Sequence, residues 1–140
     1  MTTGLPVFDH TVQETNLWLK DLMERLHTDD RQVAYLALRA TLHALRDRIG
    51  PENAVHLAAQ LPMLVRGLYY EGWRMGASRT KERTRAEFLE HVRDELPRGS
   101  PIDPNLAARA VFAVLWARID SGQVGKVMEL LPPELQDLWR

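Results

Sequence analysis

Apolar residues recur at three- and four-residue steps along most of the chain, the spacing that lines one face of an α-helix. In the first segment Val12, Leu19, Leu22, Met23 and Leu26 keep this period, which predicts a helix from about Thr11 to Leu26. Asp29 and Asp30 supply capping oxygens and favourable charge for a second helix reaching Ile49. Gly50-Pro51 stops it, and Pro51 suits the first turn of a third, short helix through Gln60, where no intrahelical amide bond is lost. Leu61-Pro62 ends that helix and opens a fourth, carrying Leu64, Val65, Leu68 and Tyr69 toward Trp73. No β-branched stretch alternates with a period of two, so no strand is predicted.

The pattern then repeats. Laying residues 1–70 over 71–140 without a gap brings Ala37–Ile49 onto Ala107–Ile119, with Ala37/Ala107, Arg39/Arg109, Ala40/Ala110, Leu45/Leu115, Arg48/Arg118 and Ile49/Ile119 identical. Leu61-Pro62 falls on Leu131-Pro132, Tyr69 on Trp139, Trp18-Leu19 on Phe88-Leu89, and Leu26 on Leu96. Chance likeness of amphipathic helices accounts for shared leucines and alanines. It accounts poorly for a shared Leu-Pro break and ordered arginines at one ungapped offset. The chain therefore reads as an all-α fold, a tandem duplication of a four-helix unit with two long and two short helices in each copy. The second copy's helices are expected near Thr84–Leu96, Pro104–Ile119, Gln123–Leu130 and Pro133–Trp139, with Ser121 capping the third of these and Gly99–Pro104 forming a turn-rich linker. The second helix of each unit is apolar around most of its circumference, so these two are expected to pack centrally, their alanines permitting close approach.

Composition narrows the picture further. A length of 140 residues suits one domain built from repeats of about 1–70 and 71–140, a compact helical bundle able to bury a core without staples. Cysteine is absent, which removes disulfides, thiolate metal sites and cysteine nucleophiles. No signal-like segment and no apolar run of ~20 residues occurs, and a cytoplasmic protein away from membranes is expected. Eighteen basic residues oppose nineteen acidic ones, so no global charge favours nucleic acid or an anionic membrane. The local exception is the junction of the two units, where Arg74, Arg79, Lys81, Arg83 and Arg85 crowd together.

The block from Leu38 to Trp73, "LRATLHALRDRIGPENAVHLAAQLPMLVRGLYYEGW", is very similar to the signature of the bacterial DUF2267 family, and Ala107–Trp139 resembles that family's second half. The resemblance implies an all-helical cytoplasmic protein of prokaryotic type and carries over no activity, cofactor or catalytic residue. The second half lacks a counterpart of Leu-Tyr-Tyr-Glu-Gly-Trp, so an aromatic site belongs to the first unit alone.

Tyr70 and Trp73 are the candidate partner-binding residues, being amphipathic aromatics at the end of the first unit, whereas Tyr69, in register with Trp139, reads as core. Gly67 and Gly72 read as positions of close packing and helix termination. Among His10, His27, His43, His56 and His91 no zinc-type pair or HExxH motif occurs, and no metal or other cofactor is expected. Glu87, His91 and Glu95 share a helical face, a carboxylate–histidine–carboxylate set able to ligate a divalent ion, but they border the apolar stripe Phe88, Leu89, Val92 and Leu96 and so read as a solvated shoulder. His43 and Asp47 form an i, i+4 pair, read as a surface hydrogen bond. No nucleophile elbow, phosphate loop or acid pair is found, which disfavours an enzyme.

The basic junction Arg74, Arg79, Lys81, Arg83 and Arg85 is the candidate anion-binding set, with Arg83 placed to pair with Glu87 instead. It lacks the aromatic interleaving of single-strand binders, which puts nucleic acid behind protein as a partner. The repeated pairs Arg39/Arg109 and Arg48/Arg118 are expected to do one local job twice, capping a carbonyl end or bridging the units. The expected role is a non-enzymatic protein-interaction module, with binding of an anionic ligand or nucleic acid as the alternative. Exposed apolar surface would allow a homodimer, though no uninterrupted heptad marks a coiled coil.

Overall fold

The computed structural model describes residues 2–77 and 79–140; Met1, and Ser78 within the basic junction, lie outside the described residues. Eight α-helices and a closing 3-10 turn make up the fold, with no strand among the described residues. They are α1 (Pro6–Leu26), α2 (Arg31–Ile49), α3 (Pro51–Ala58), α4 (Met63–Tyr70), α5 (Arg85–Glu95), α6 (Pro104–Arg118), α7 (Ser121–Glu129), α8 (Pro133–Gln136) and the 3-10 turn Asp137–Trp139.

The punctuation follows local chemistry. α1 begins at Pro6, ahead of the expected Thr11, because Pro6 takes the first helical position and Asp9 in the first turn accepts from Thr3. It ends with His27 in the left-handed region, φ 55°, whose neighbour Thr28 donates its amide to the Met23 carbonyl. Asp30 caps α2 by accepting from the Gln32 amide at 2.9 Å. Gly50, φ +88°, turns the chain directly into Pro51. α4 stops at Tyr70 short of Trp73, since Glu71 leaves the helical region and Gly72 adopts φ +72°. A cap assignment also changes: α7 begins at Ser121, and its capping side chain is Asp120, which accepts from the Gly122 and Gln123 amides.

α2 and α6 lie at the centre. α2 packs against α1, α3, α4, α5 and α6, and α6 against α1, α2, α5, α7 and the final turn. Ala37, Ala40, Ala107 and Ala110 are all buried, which lets the two helices approach closely. A single core runs from Trp18 and Leu22 through Leu38, Leu45 and Tyr69 to Phe88, Phe112 and Trp139. Phe112 stacks on Trp139 with centroids 4.2 Å apart and lies 6.0 Å from Phe88.

Several positions seventy residues apart meet similar surroundings. Leu61 and Leu131, Ile49 and Ile119, Leu26 and Leu96, and Tyr69 and Trp139 are all buried. Arg66 donates to the Leu61 carbonyl at 3.0 Å, and Gln136 donates to the Leu131 carbonyl at 2.8 Å. Arg39 and Arg109 each reach past the last helix of their own half, to the Glu71 carboxylate and to the Asp137 and Arg140 carbonyls respectively. Arg48 and Arg118 each cross to the other half, to the Glu82 carbonyl at 2.7 Å and the Asp21 carboxylate at 3.2 Å. α1 meets α6 as α5 meets α2.

Candidate functional site

Between α2 and the connector that follows α4 lies an open groove with a cavity of about 400 Å³. One wall is the polar edge of α2, with Arg39, His43, Arg46 and Asp47. The other is the connector, with Trp73, Arg74, Met75 and Arg79, and Glu95 of α5 closes the floor.

The connector is tied to α2 by arginines. Arg46, buried, donates through Nη1 to the Tyr69 and Glu71 carbonyls at 2.7 and 2.9 Å, and through Nε to Asp47 Oδ1 at 2.9 Å. It thereby satisfies carbonyls left orphaned where α4 ends. Arg39 donates from both Nε and Nη2 to Glu71 Oε1 at 2.9 and 2.7 Å. These bonds hold the Glu71 carboxyl below its usual range. Farther along, the Thr80 amide donates to the Asp47 carbonyl at 2.9 Å, so the connector is pinned at both ends of the groove.

Beneath the groove sits a cluster of ionisable groups. His91 Nδ1 is 2.5 Å from Glu82 Oε1, and its Nε2 faces Asp47 Oδ2 at 3.6 Å and Glu95 Oε1 at 3.7 Å. His43, only 2% exposed, bonds through Nε2 to the Leu68 carbonyl at 2.7 Å and turns Nδ1 toward Glu95 Oε2 at 3.5 Å. Burial by itself would lower the His91 pKa, but the carboxylates of Asp47, Glu82 and Glu95 around the ring outweigh it and push the value up to about 11. His43 and His91 hold the Glu95 carboxyl well below its ordinary value. Asp47 is lowered too, burial opposing the shift and His91 and Arg46 prevailing.

The aromatic candidates separate. Tyr70 is half-buried in a ladder between Tyr69 and Trp73, each ring 5.4 Å away, and packs on the core. Trp73, also half-buried, lines the groove. The five basic candidates do not share one place. Arg74 and Arg79 face the groove, Lys81 and Arg83 are exposed beyond it, and Arg85 turns toward the last helix, its amide donating to Glu134 and its guanidinium 3.8 Å from Asp137. Arg83 uses its backbone amide toward Glu87 at 3.1 Å, in place of the expected side-chain pair. Glu87 is taken up by a capping box with Thr84, which leaves it out of the His91 cluster.

Three expectations about this region change. His91 and Glu95 are not a solvated shoulder, because α5 packs this face on α2 and half-buries both. His43 and Asp47 make no surface hydrogen bond, since α4 presents the Leu68 carbonyl to the buried ring. Gly67 serves no close packing, for a Cβ there would meet nothing within 4 Å, whereas Gly72 does terminate the helix. Glu82 is the site residue the sequence reading passed over, and Asp47 was read only as the surface partner of His43. A signal existed: at an offset of 70, His43, Asp47, His91 and Glu95 fall on Ala113, Ala117, Asp21 and Arg25, so the titratable set breaks the repeat.

Fold and site together define an all-helical bundle with a polar groove over an ionic cluster, and no helix among the described residues is long and apolar enough to cross a membrane. The model of the family described as "Uncharacterized conserved protein (DUF2267)" matches residues 15–138, and the chain belongs to that family. No curated protein matches it.

Proposed function

We propose that the protein is a non-enzymatic interaction module of the bacterial cytoplasm that takes an acidic segment of a partner protein into the groove between α2 and the connector. The carrying observation is the state of the four groove arginines. Arg39 and Arg46 are engaged by Glu71, Asp47 and backbone carbonyls. The side chains of Arg74 and Arg79 reach the same cavity, and their guanidiniums make no ion pair or hydrogen bond among the described residues, beside the Trp73 ring and Met75, 68% exposed. Two uncommitted guanidiniums next to an aromatic and a thioether suit a peptide carrying carboxylates among apolar residues. The groove draws together one aromatic and two basic candidates, which favours a protein segment over nucleic acid; Lys81, Arg83 and Arg85 point elsewhere and offer no phosphate track.

The test compares proteins crosslinked to the wild type with those crosslinked to an Arg74→Glu/Arg79→Glu variant and to Arg98→Glu, an exposed site after α5. Partners lost in the double variant and kept in Arg98→Glu are the expected result. Capture unchanged by the double variant would overturn the reading.

The same proposal includes descent by tandem duplication of a four-helix unit. It is supported by the matched burial and by the equivalent work of Arg39 and Arg109, Arg48 and Arg118, and Arg66 and Gln136 described above. Superposition of 6–70 on 76–140 tests it: a common helix order at offset 70 is expected, and a better fit at another offset would count against it.

A further inference from the structure

The ionic cluster is more than a set of mutually neutralising charges. Asp47, His91 and Glu95 each offer one donor atom, and the three lie within 4.8 Å of one another. The His91 ring is oriented from behind, Nδ1 bonded to Glu82, so that Nε2 points between the other two carboxylates at distances too long for good hydrogen bonds. A carboxylate behind a histidine is the usual way of fixing the ring of a metal ligand. The other two donors are held as well: Arg46 fixes the second oxygen of Asp47, and the buried His43 faces the second oxygen of Glu95. From these positions we propose that Asp47 Oδ2, His91 Nε2 and Glu95 Oε1 bind a divalent transition-metal ion of the Zn²⁺ type, with its remaining coordination position open to the groove. In a tetrahedral site, ligand bonds of about 2.0–2.2 Å place the donors roughly 3.3–3.6 Å apart. The two separations from Nε2, 3.6 and 3.7 Å, nearly meet this, and the carboxylate oxygens, which lie within 4.8 Å of each other, close by up to about an ångström as the ion enters. The proton on Nε2 passes to solvent as the ion enters, as metal binding requires.

Packing does not demand this arrangement. α1 and α6 meet as α5 and α2 do, and there the corresponding positions carry Asp21, Arg25, Ala113 and Ala117, with Asp21 closed off by Arg25 at 2.8 Å and Arg118 at 3.2 Å. That interface is settled by a plain ion pair. The α2–α5 interface instead assembles two histidines and two carboxylates beneath a cavity, and the connector adds Glu82.

The experiment uses the full chain, stripped with a chelator and dialysed against Zn²⁺ alone, with bound metal measured by elemental analysis. One ion per chain is expected in the wild type. Asp47→Asn and Glu95→Gln should each weaken binding at least tenfold while keeping the helical circular dichroism. Glu82→Gln should weaken it by roughly ten- to a hundredfold through the ring's orientation. His10→Ala, which removes the exposed His10–Glu14 pair, should leave it unchanged. As a measurement independent of variant folding, Zn²⁺ should move the His91 ring resonances of the wild type ahead of those of the other histidines. A wild type that retains no ion, retention equal in Asp47→Asn and Glu95→Gln, or first movement of another histidine would overturn the proposal. Metal is read here without any partner, and the Arg74/Arg79 variant leaves all three ligands in place, so failure of one proposal is distinguishable from failure of the other.

Discussion

Tyr69 shows how much one buried side chain can decide. It is fully buried, and its hydroxyl donates to the Ala54 carbonyl at 2.8 Å, linking α4 to α3 inside the core. Burial raises the phenol pKa well above 10, chiefly because a phenolate could not be solvated there. The folded state therefore keeps a proton that the unfolded chain releases above about pH 10, so this contribution to stability is complete below that pH and is lost as the pH climbs toward the folded value. Tyr69→Phe is expected to cost about 1–2 kcal/mol near neutrality, because a buried carbonyl loses its donor. The variant should also show a shallower fall in stability above pH 10, with urea titrations at pH 7 and 10.5 as the measurement. A steeper fall than in the wild type would contradict this account. Tyr69 was readable in the sequence as core, from its register with Trp139. The ladder placing Tyr70 behind Trp73 was not, because neighbouring helical positions point in different directions and only the end of α4 settles which ring meets the groove.

Among the elements, α5 carries the most consequence. It supplies His91 and Glu95 to the site and Phe88 and Val92 to the core, and its start is fixed by the Thr84–Glu87 capping box. That box leaves a T-x-x-E signature in the sequence, a signal missed when Glu87 was read as part of a solvated shoulder and as a partner of Arg83. Thr84→Ala is expected to cost about 1 kcal/mol and to speed amide exchange in the first turn of α5, leaving exchange in α2 unchanged. Equal acceleration throughout would show that α5 does not open on its own. α2 follows its sequence signals closely at Asp30 and Gly50, where a cap and a breaker act on the backbone within a few residues, and Asp103 caps α6 from within the expected linker by accepting from the Asn105 amide. Signals failed where a competing oxygen stood next door, as with Asp120 replacing Ser121 at the start of α7.

For the molecule as a whole, α2 and α6 pack on each other and one core cluster runs from Trp18 to Trp139. Phe112 illustrates this, stacked on Trp139 and packed near Phe88, in a core continuous with Leu38 and Leu45 of α2. Phe112→Ala is expected to cost about 3–5 kcal/mol and to lower a single unfolding transition, with calorimetric and van't Hoff enthalpies still equal. Two separated transitions would mean that the halves are independent. The helical period, the proline and glycine stops and the all-helical class were determined by the sequence alone, because each acts through neighbours within about one turn. The meeting of Asp47 with Glu82, His91 and Glu95 was decided only in three dimensions. His91 and Glu95 share a helical face, but no period joins them to Asp47 or Glu82; what unites the four is the crossing of α5 over α2 and the pinning of the connector by Arg46 and Thr80, contacts between residues more than twenty apart in the chain.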